Sequence, residues 1–213
     1  MASISLDSPQ VRYLSERDWR LGKLMSRIGD LEYSRPDSAF QSLAHSIIEQ
    51  MLSMKAGHSI EQRLVERCGG ELTPQSLGGL SVDEVKACGM SLRKAQSLHA
   101  LAAYATEHDL EALAERTDEE VTTTLLDLPG VEKWTCDMFL LFYLERPDVL
   151  PVEDGAVRQA FQWLYGVPIT DSCARVLVCS LWHPYASTAI RYLYRALNCG
   201  LVKGGEARIL WES

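Results

Sequence analysis

A serine or threonine followed three residues later by glutamate, ahead of an apolar run of helical period, occurs twice in this chain, at Ser81–Glu84 and Thr117–Glu120. In that pattern the hydroxyl and the carboxylate satisfy backbone N–H groups that a helix's first turn otherwise leaves unpartnered. Both pairs therefore mark helix starts, and simpler starts recur. Ser15-x-x-Asp18 precedes Trp19, Leu21, Leu24, Met25 and Ile28, an apolar face ended by Gly29. Pro36-Asp37 opens a segment with Phe40, Leu43, Ala44, Ile47, Ile48 and Met51 at helical spacing. Helices are predicted over 54–68, at Thr73-Pro74, from Ser81 to Gly89, from Ser91 through Ala105, and from Thr117 to about Leu126. Further ones are predicted over 132–144, 155–165, 171–182 and 186–198, with a proline-containing loop at 145–153. Period-2 alternation bounded by hairpin turns is lacking, so strands are few or absent. The expected fold class is all-α.

The chain has 213 residues, 46% hydrophobic and 23% charged, the balance of an ordinary globular protein. No apolar run approaches the ~20 residues of a membrane span, so no membrane partner is expected. MASISLDSPQVR at the start lacks the basic and apolar regions of a secretory signal. Cys68, Cys88, Cys136, Cys173, Cys179 and Cys199 form no metal pattern and predict reduced thiols in a cytosol. The five histidines show no ligand spacing. A net charge of −8 argues at first against nucleic acid as a partner. Residues 107–120, however, carry Glu107, Asp109, Glu111, Glu115, Asp118, Glu119 and Glu120 against a single Arg116, and the rest is nearly balanced. Beyond Asn198, Ile209-Leu210-Trp211 is open between docking and mobility.

Four constellations carry chemistry. The first is Leu128-Pro129-Gly130-Val131 between two apolar helices. Pro129 fixes φ and Gly130 accepts φ > 0, which makes a tight reversal, and the N–H groups of the helix that follows form a ready anion site. Such a turn can hold phosphate with few cations; Lys133 would add one. The plain alternative is an ordinary helix–helix turn. The second is Asp154, placed by Asp154-Gly155 as a helix N-cap, where the dipole favours a charged carboxylate. Beside a sugar, that charge can stabilise an oxocarbenium-like transition state or orient a water. The third is Trp134 and Trp182, either core residues or the walls of a pocket for a flipped base. The fourth is Glu49-Gln50-Met51-Leu52, either a helix terminus or an apolar wedge of the kind that unstacks DNA.

Five stretches, in order, resemble the helix-hairpin-helix DNA glycosylases, in particular the 3-methyladenine DNA glycosylase II (AlkA/Mag) branch. They are Ile47-Ile48-Glu49-Gln50 with Leu52-Ser53; Gly89-Met90-Ser91-Leu92-Arg93-Lys94-Ala95; Leu128-Pro129-Gly130-Val131 with Trp134-Thr135; Leu150-Pro151-Val152-Glu153-Asp154; and Trp182-His183-Pro184-Tyr185 with Ser187 and Ala189. The resemblance covers about residues 37–198. It implies a two-lobed helical fold with the active-site cleft between lobes. One lobe would be 37–145, with the helix-hairpin-helix at about 118–144; the other would be 1–36 plus 146–213. Asp154 falls on the catalytic aspartate, Trp134 and Trp182 on base-pocket positions, and Met138 where some members have a pocket tyrosine. Met51, with Gln50, falls on the DNA wedge. Gly130, Val131 and Lys133 fall on the phosphate grip, and the carbonyls of Leu126, Leu128 and Val131 on a site that in this family often holds Na⁺ or K⁺. Trp134 stands where glycosylases that also nick DNA carry a Schiff-base lysine, so a monofunctional enzyme is implied. Cys173, Cys179 and Cys199 do not supply a four-cysteine cluster motif, so no iron–sulfur cluster is expected.

Departures are visible as well. Residues ahead of 37 are too few for the β-rich domain of longer AlkA proteins, so a compact form is expected. Glu49 replaces a usual glycine, Glu132 replaces the hairpin's second glycine and places negative charge near the expected phosphate, and Ala186 stands where arginine is common. The expected activity is hydrolytic excision of alkylated purines of the 3-methyladenine and 7-methylguanine type from double-stranded DNA. The expected enzyme is a monomer, needs no cofactor, and works in the cytosol (at the nucleoid if bacterial). The alternatives are a non-catalytic helix-hairpin-helix DNA-binding protein and a glycosylase for deaminated or etheno bases.

Overall fold

In the computed structural model, residues 2–204 are described; Ile209-Leu210-Trp211 lies outside them. Residues 2–35 form strand β1 (Ala2–Ile4), helices α1 (Pro9–Arg17) and α2 (Trp19–Ile28), and strand β2 (Leu31–Tyr33). Seven α-helices follow: α3 (Ala39–Glu49), α4 (Met54–Arg67), α5 (Pro74–Gly78), α6 (Val82–Ala87), α7 (Leu92–Glu107), α8 (Asp118–Leu126) and α9 (Lys133–Met138). A 3₁₀ turn spans Glu111–Glu115, and α9 runs on into a π-helical turn, Phe139–Tyr143. The described chain closes with α10 (Gly155–Tyr165), α11 (Ser172–Trp182), α12 (Ala186–Asn198) and a 3₁₀ turn, Leu201–Gly204.

Helix starts follow local hydrogen-bond chemistry. Thr73, Ser81 and Thr117 make capping boxes, with Ser76, Glu84 and Glu120 as the returning partners. Ser38, Ser53, Ser91, Asp154 and Asp171 each accept an N–H of the first turn. Two readings differ from expectation. Asp18, not Ser15, caps α2, and Pro9–Arg17 is a separate helix ahead of it. The helix predicted over 132–144 is α only to Met138 and π beyond it.

The chain divides into two units, Met1–Arg35 with Glu145–Ser213, and Pro36–Leu144. In the first, β1 and β2 pair antiparallel, with Ser3 opposite Glu32. Its core holds Leu14, Leu21, Leu24, Val157, Phe161, Ile190 and Leu193, all buried. In the second, α3 carries Leu43, Ala44, Ile47 and Ile48 into a core shared with Leu98, Leu101 and Phe139. Burying each large aliphatic side chain contributes roughly 1.5–3 kcal/mol against its exposed state. These cores fix the ends of α3, α8 and α10, where the candidate residues sit.

Candidate active site

Asp154 is the N-cap of α10 in the first unit. Its Oδ1 accepts the Val157 N–H at 2.7 Å, and the residue is only 7% exposed. A carboxylate held this way has a set rotamer and a set direction. The loop leading to it is braced from α12. Ser187 Oγ accepts the Val149 N–H at 2.9 Å and donates to the Arg146 carbonyl at 2.5 Å. Asp148 accepts the Ala186 N–H at 3.2 Å through one oxygen and meets His183 Nδ1 at 2.5 Å through the other. Past the loop, Arg158 Nε donates to the Val152 carbonyl at 2.8 Å. The stretch His183–Ser187 thus acts through the loop that carries Asp154.

Trp182 departs from the expectation of a pocket wall. It is fully buried, and its Nε1–H donates to Asp18 Oδ2 at 2.9 Å. The same oxygen accepts the Tyr165 hydroxyl at 2.6 Å, and Oδ1 caps α2 through the Leu21 N–H at 3.1 Å. Phe161 lies edge-on to the indole, with centroids 6.1 Å apart. With its N–H satisfied and its faces covered, Trp182 is core, and a base could stack on it only after the unit opened. Tyr165 stays protonated to donate, since burial and then the Asp18 charge push its pKa well above the ordinary value.

The second unit holds the hairpin and the segment Glu49–Leu52. Leu128–Val131 turns between α8 and α9 with Gly130 at φ 80°. A Cβ there would stand 1.9 Å from Ser97 Oγ and 2.7 Å from Ser97 Cβ, so glycine is required by contact as well as by φ. The Val131 N–H closes the turn on the Leu128 carbonyl at 3.1 Å, which commits a donor expected to face phosphate. Lys133 is half-exposed and pairs with Asp137 one turn on. One expectation is corrected: the turn itself consumes the Val131 donor. Glu132 is the N-cap of α9 without a side-chain bond to it. Its carboxylate instead lies 3.3 Å from Arg93 Nη2, both groups being exposed. Trp134 is half-buried and Met138, one turn along, is buried.

Glu49–Leu52 is a type II turn. Gln50 has φ −43° and ψ 124°, Met51 has φ 58°, and the Leu52 N–H donates to the Glu49 carbonyl at 2.9 Å. The third position of this turn favours glycine; here it holds a methionine that is 102% exposed. Gln50, expected beside Met51 in a wedge, is turned inward. Its Nε2 donates to the Gly130 carbonyl and to Thr135 Oγ1, both at 2.9 Å, so it faces the hairpin. Lys94 Nζ donates to the carbonyls of Ile48 at 2.7 Å and Gln50 at 2.6 Å. Arg93, Lys94 and Ser97 therefore serve both features from one end of α7. Arg93 and Lys94 stand in a stretch that matches the family, yet nothing local distinguishes them from solvated helix cations.

A model of HhH-GPD superfamily base excision DNA repair proteins matches residues 44–177, and the chain belongs to that superfamily. Over 195 residues it is 27% identical to DNA-3-methyladenine glycosylase 1 of Schizosaccharomyces pombe, covering 86% of this chain and 84% of that protein. A crystal structure of a DNA-3-methyladenine glycosidase from Bacillus halodurans superposes with a TM-score of 0.81 at 29% identity, covering 100% of both chains. The 3-methyladenine DNA glycosylase of Schizosaccharomyces pombe in complex with abasic DNA gives 0.81 at 25% identity, covering 90% of this chain and 97% of the other.

Proposed function

We propose that this protein is a monofunctional DNA glycosylase that excises alkylated purines of the 3-methyladenine and 7-methylguanine type in base excision repair. The observation that carries the reading is Asp154, a buried N-cap carboxylate within a match to the HhH-GPD superfamily. In the reaction, the bond between C1′ and the purine nitrogen breaks with its electron pair leaving on the base. An alkylated purine already bears positive charge and departs neutral, so little acid catalysis is needed. Asp154 stabilises the oxocarbenium-like sugar and orients the attacking water, whose oxygen bonds C1′ and whose proton is released. Trp134 supplies an aromatic face to the cationic base, worth roughly 0.5–2 kcal/mol. Met51 fills the gap left in the duplex.

The hairpin binds phosphate through backbone groups around Gly130, with Arg93 offsetting Glu132. A monovalent cation suits the carbonyls of Leu126, Leu128 and Val131, because the last carbonyls of a helix such as α8 lack intrahelical donors. When bound, it would add positive charge at the turn; Leu128 divides its carbonyl between that ion and the Val131 N–H. No iron–sulfur cluster enters the reading, since the spacing of Cys173, Cys179 and Cys199 is not that of a cluster motif. The enzyme is read as a monomer acting on double-stranded DNA in the cytosol.

Asp154→Asn is expected to lower release of free 7-methylguanine from methylated DNA by at least ~100-fold, while binding to abasic-site DNA persists. Full activity in the variant would overturn the assignment. A wild type that binds DNA but releases no base would favour a non-catalytic helix-hairpin-helix protein. Release confined to hypoxanthine or ethenoadenine would move the substrate class.

A further inference from the structure

Met51 occupies a conformation that its own chemistry disfavours. A left-handed φ brings Cβ against the backbone and costs an L-residue energy that glycine does not pay, so it persists only where the surroundings impose it. Two groups hold the residues that precede Met51. The Lys94 ammonium holds the carbonyls of Ile48 and Gln50, at 2.7 and 2.6 Å, where α3 has run out of its own donors. The Gln50 amide, on the residue preceding Met51, reaches the Gly130 carbonyl and Thr135 Oγ1 of the hairpin at 2.9 Å. Gly130 in turn rests on Ser97, one turn beyond Lys94 on α7. The turn residue is thus tied to the hairpin by a closed circuit of contacts, and its side chain is left wholly in solvent.

We infer that Lys94 and Gln50 are positioning residues that hold Met51 in the left-handed site of its turn, so that the hairpin and the wedge present themselves to DNA as one rigid unit. The inference rests on the wedge role given to Met51 above. Its physical content is pre-organisation. A wedge whose backbone is already in place loses less conformational freedom when it enters the stack, and a hairpin that grips phosphate fixes where it enters. Neither residue touches the base or the sugar in this account; each acts through Met51.

The test uses a duplex with 2-aminopurine beside 7-methylguanine, read by fluorescence for unstacking and by single-turnover release of 7-methylguanine. Met51→Gly is expected to raise Tm, because it relieves the turn, and to lower both the fluorescence rise and release about tenfold. Lys94→Met is expected to reproduce that loss with affinity for abasic-site DNA changed less than about twofold, and Lys94→Arg to recover part of it. The double variant M51G/K94M is expected to be no worse than M51G alone, because both changes remove one function. Gln50→Ala, which breaks the hairpin half of the circuit and leaves both carbonyls to Lys94, is expected to behave like Lys94→Met and keeps the test open if Lys94→Met does not fold. Losses that multiply in the double variant, or a Lys94→Met protein with the wild-type fluorescence rise, would overturn the inference alone. Wild-type activity that Met51→Gly leaves intact would overturn the wedge role and the inference with it. A wild type that releases no base under any condition would instead bring down the proposed function.

Discussion

At the scale of single residues, the site depends on side chains whose partners are distant in sequence. Gly130 is the sharpest case. The turn demands φ 80°, and Ser97 leaves no room for a Cβ. Gly130→Ala should cost roughly 1–2 kcal/mol for the left-handed backbone and about 1–3 kcal/mol for the overlap. Urea denaturation should therefore show a loss of roughly 2–5 kcal/mol; a loss under ~0.5 kcal/mol would mean that Ser97 moves aside freely. The φ requirement is legible from Pro-Gly in the sequence, but the Ser97 contact is not, because it joins positions 33 residues apart. Trp182 shows the converse. An indole reads equally well as pocket or core until Asp18, far along the chain, is seen to take its N–H.

At the scale of elements, α3 and α4 are joined beside the Glu49–Leu52 turn by His45. Its Nε2 lies 3.3 Å from Glu49 and its Nδ1 2.9 Å from Glu61. Hydrogen bonds to Glu49 and then Glu61 raise its pKa from the ordinary 6.5 to about 10. A pKa raised in the folded state stabilises fully below the unfolded value, and that contribution is lost as pH climbs through the folded one. Stability should therefore decline between pH 6.5 and about 10. The imidazole is about half exposed, so solvent screening limits the change to about 1 kcal/mol. His45→Gln should flatten this part of the pH profile in chemical denaturation; an unchanged slope would show that the two carboxylates hold no charge on the ring. Glu49, read in sequence as an unusual replacement for glycine, has its structural reason here. Helix starts were the most legible elements, since a capping box satisfies its donors within four residues. The π turn after Met138 was not legible, because its residues are as apolar as those of an α-helix.

At the scale of the whole molecule, the net charge of −8 is not spread evenly, and much of its acidic stretch has local work. Glu120 returns to Thr117 in the capping box of α8, and hydrogen bonds to Thr117 lower its pKa. Glu111 accepts the Ala39 N–H at 2.9 Å and the Tyr143 hydroxyl. Under the proposed function, phosphate is gripped mainly by backbone groups of the hairpin, so few phosphates are neutralised by cations. The logarithm of DNA affinity should fall with the logarithm of salt concentration at a slope of only about −2 to −3, near −0.9 per neutralised phosphate. Fluorescence anisotropy between ~50 and ~200 mM salt measures it. A slope steeper than about −6 would indicate a broad basic surface and contradict a grip made mainly of backbone groups.

By itself the sequence determined the helical class, most helix starts, the reversal at Pro129-Gly130 and the N-cap position of Asp154. Each of these depends on residues within about one helical turn, where hydrogen-bond donors and φ limits act directly. Only the tertiary structure decided that Trp182 is core, that the Val131 N–H is already committed, that Gln50 faces the hairpin, and that Lys94 anchors the turn holding Met51 at φ 58°. Those outcomes depend on which distant group arrives to take a donor or fill a space, and a polar or aromatic side chain carries no local mark of its partner.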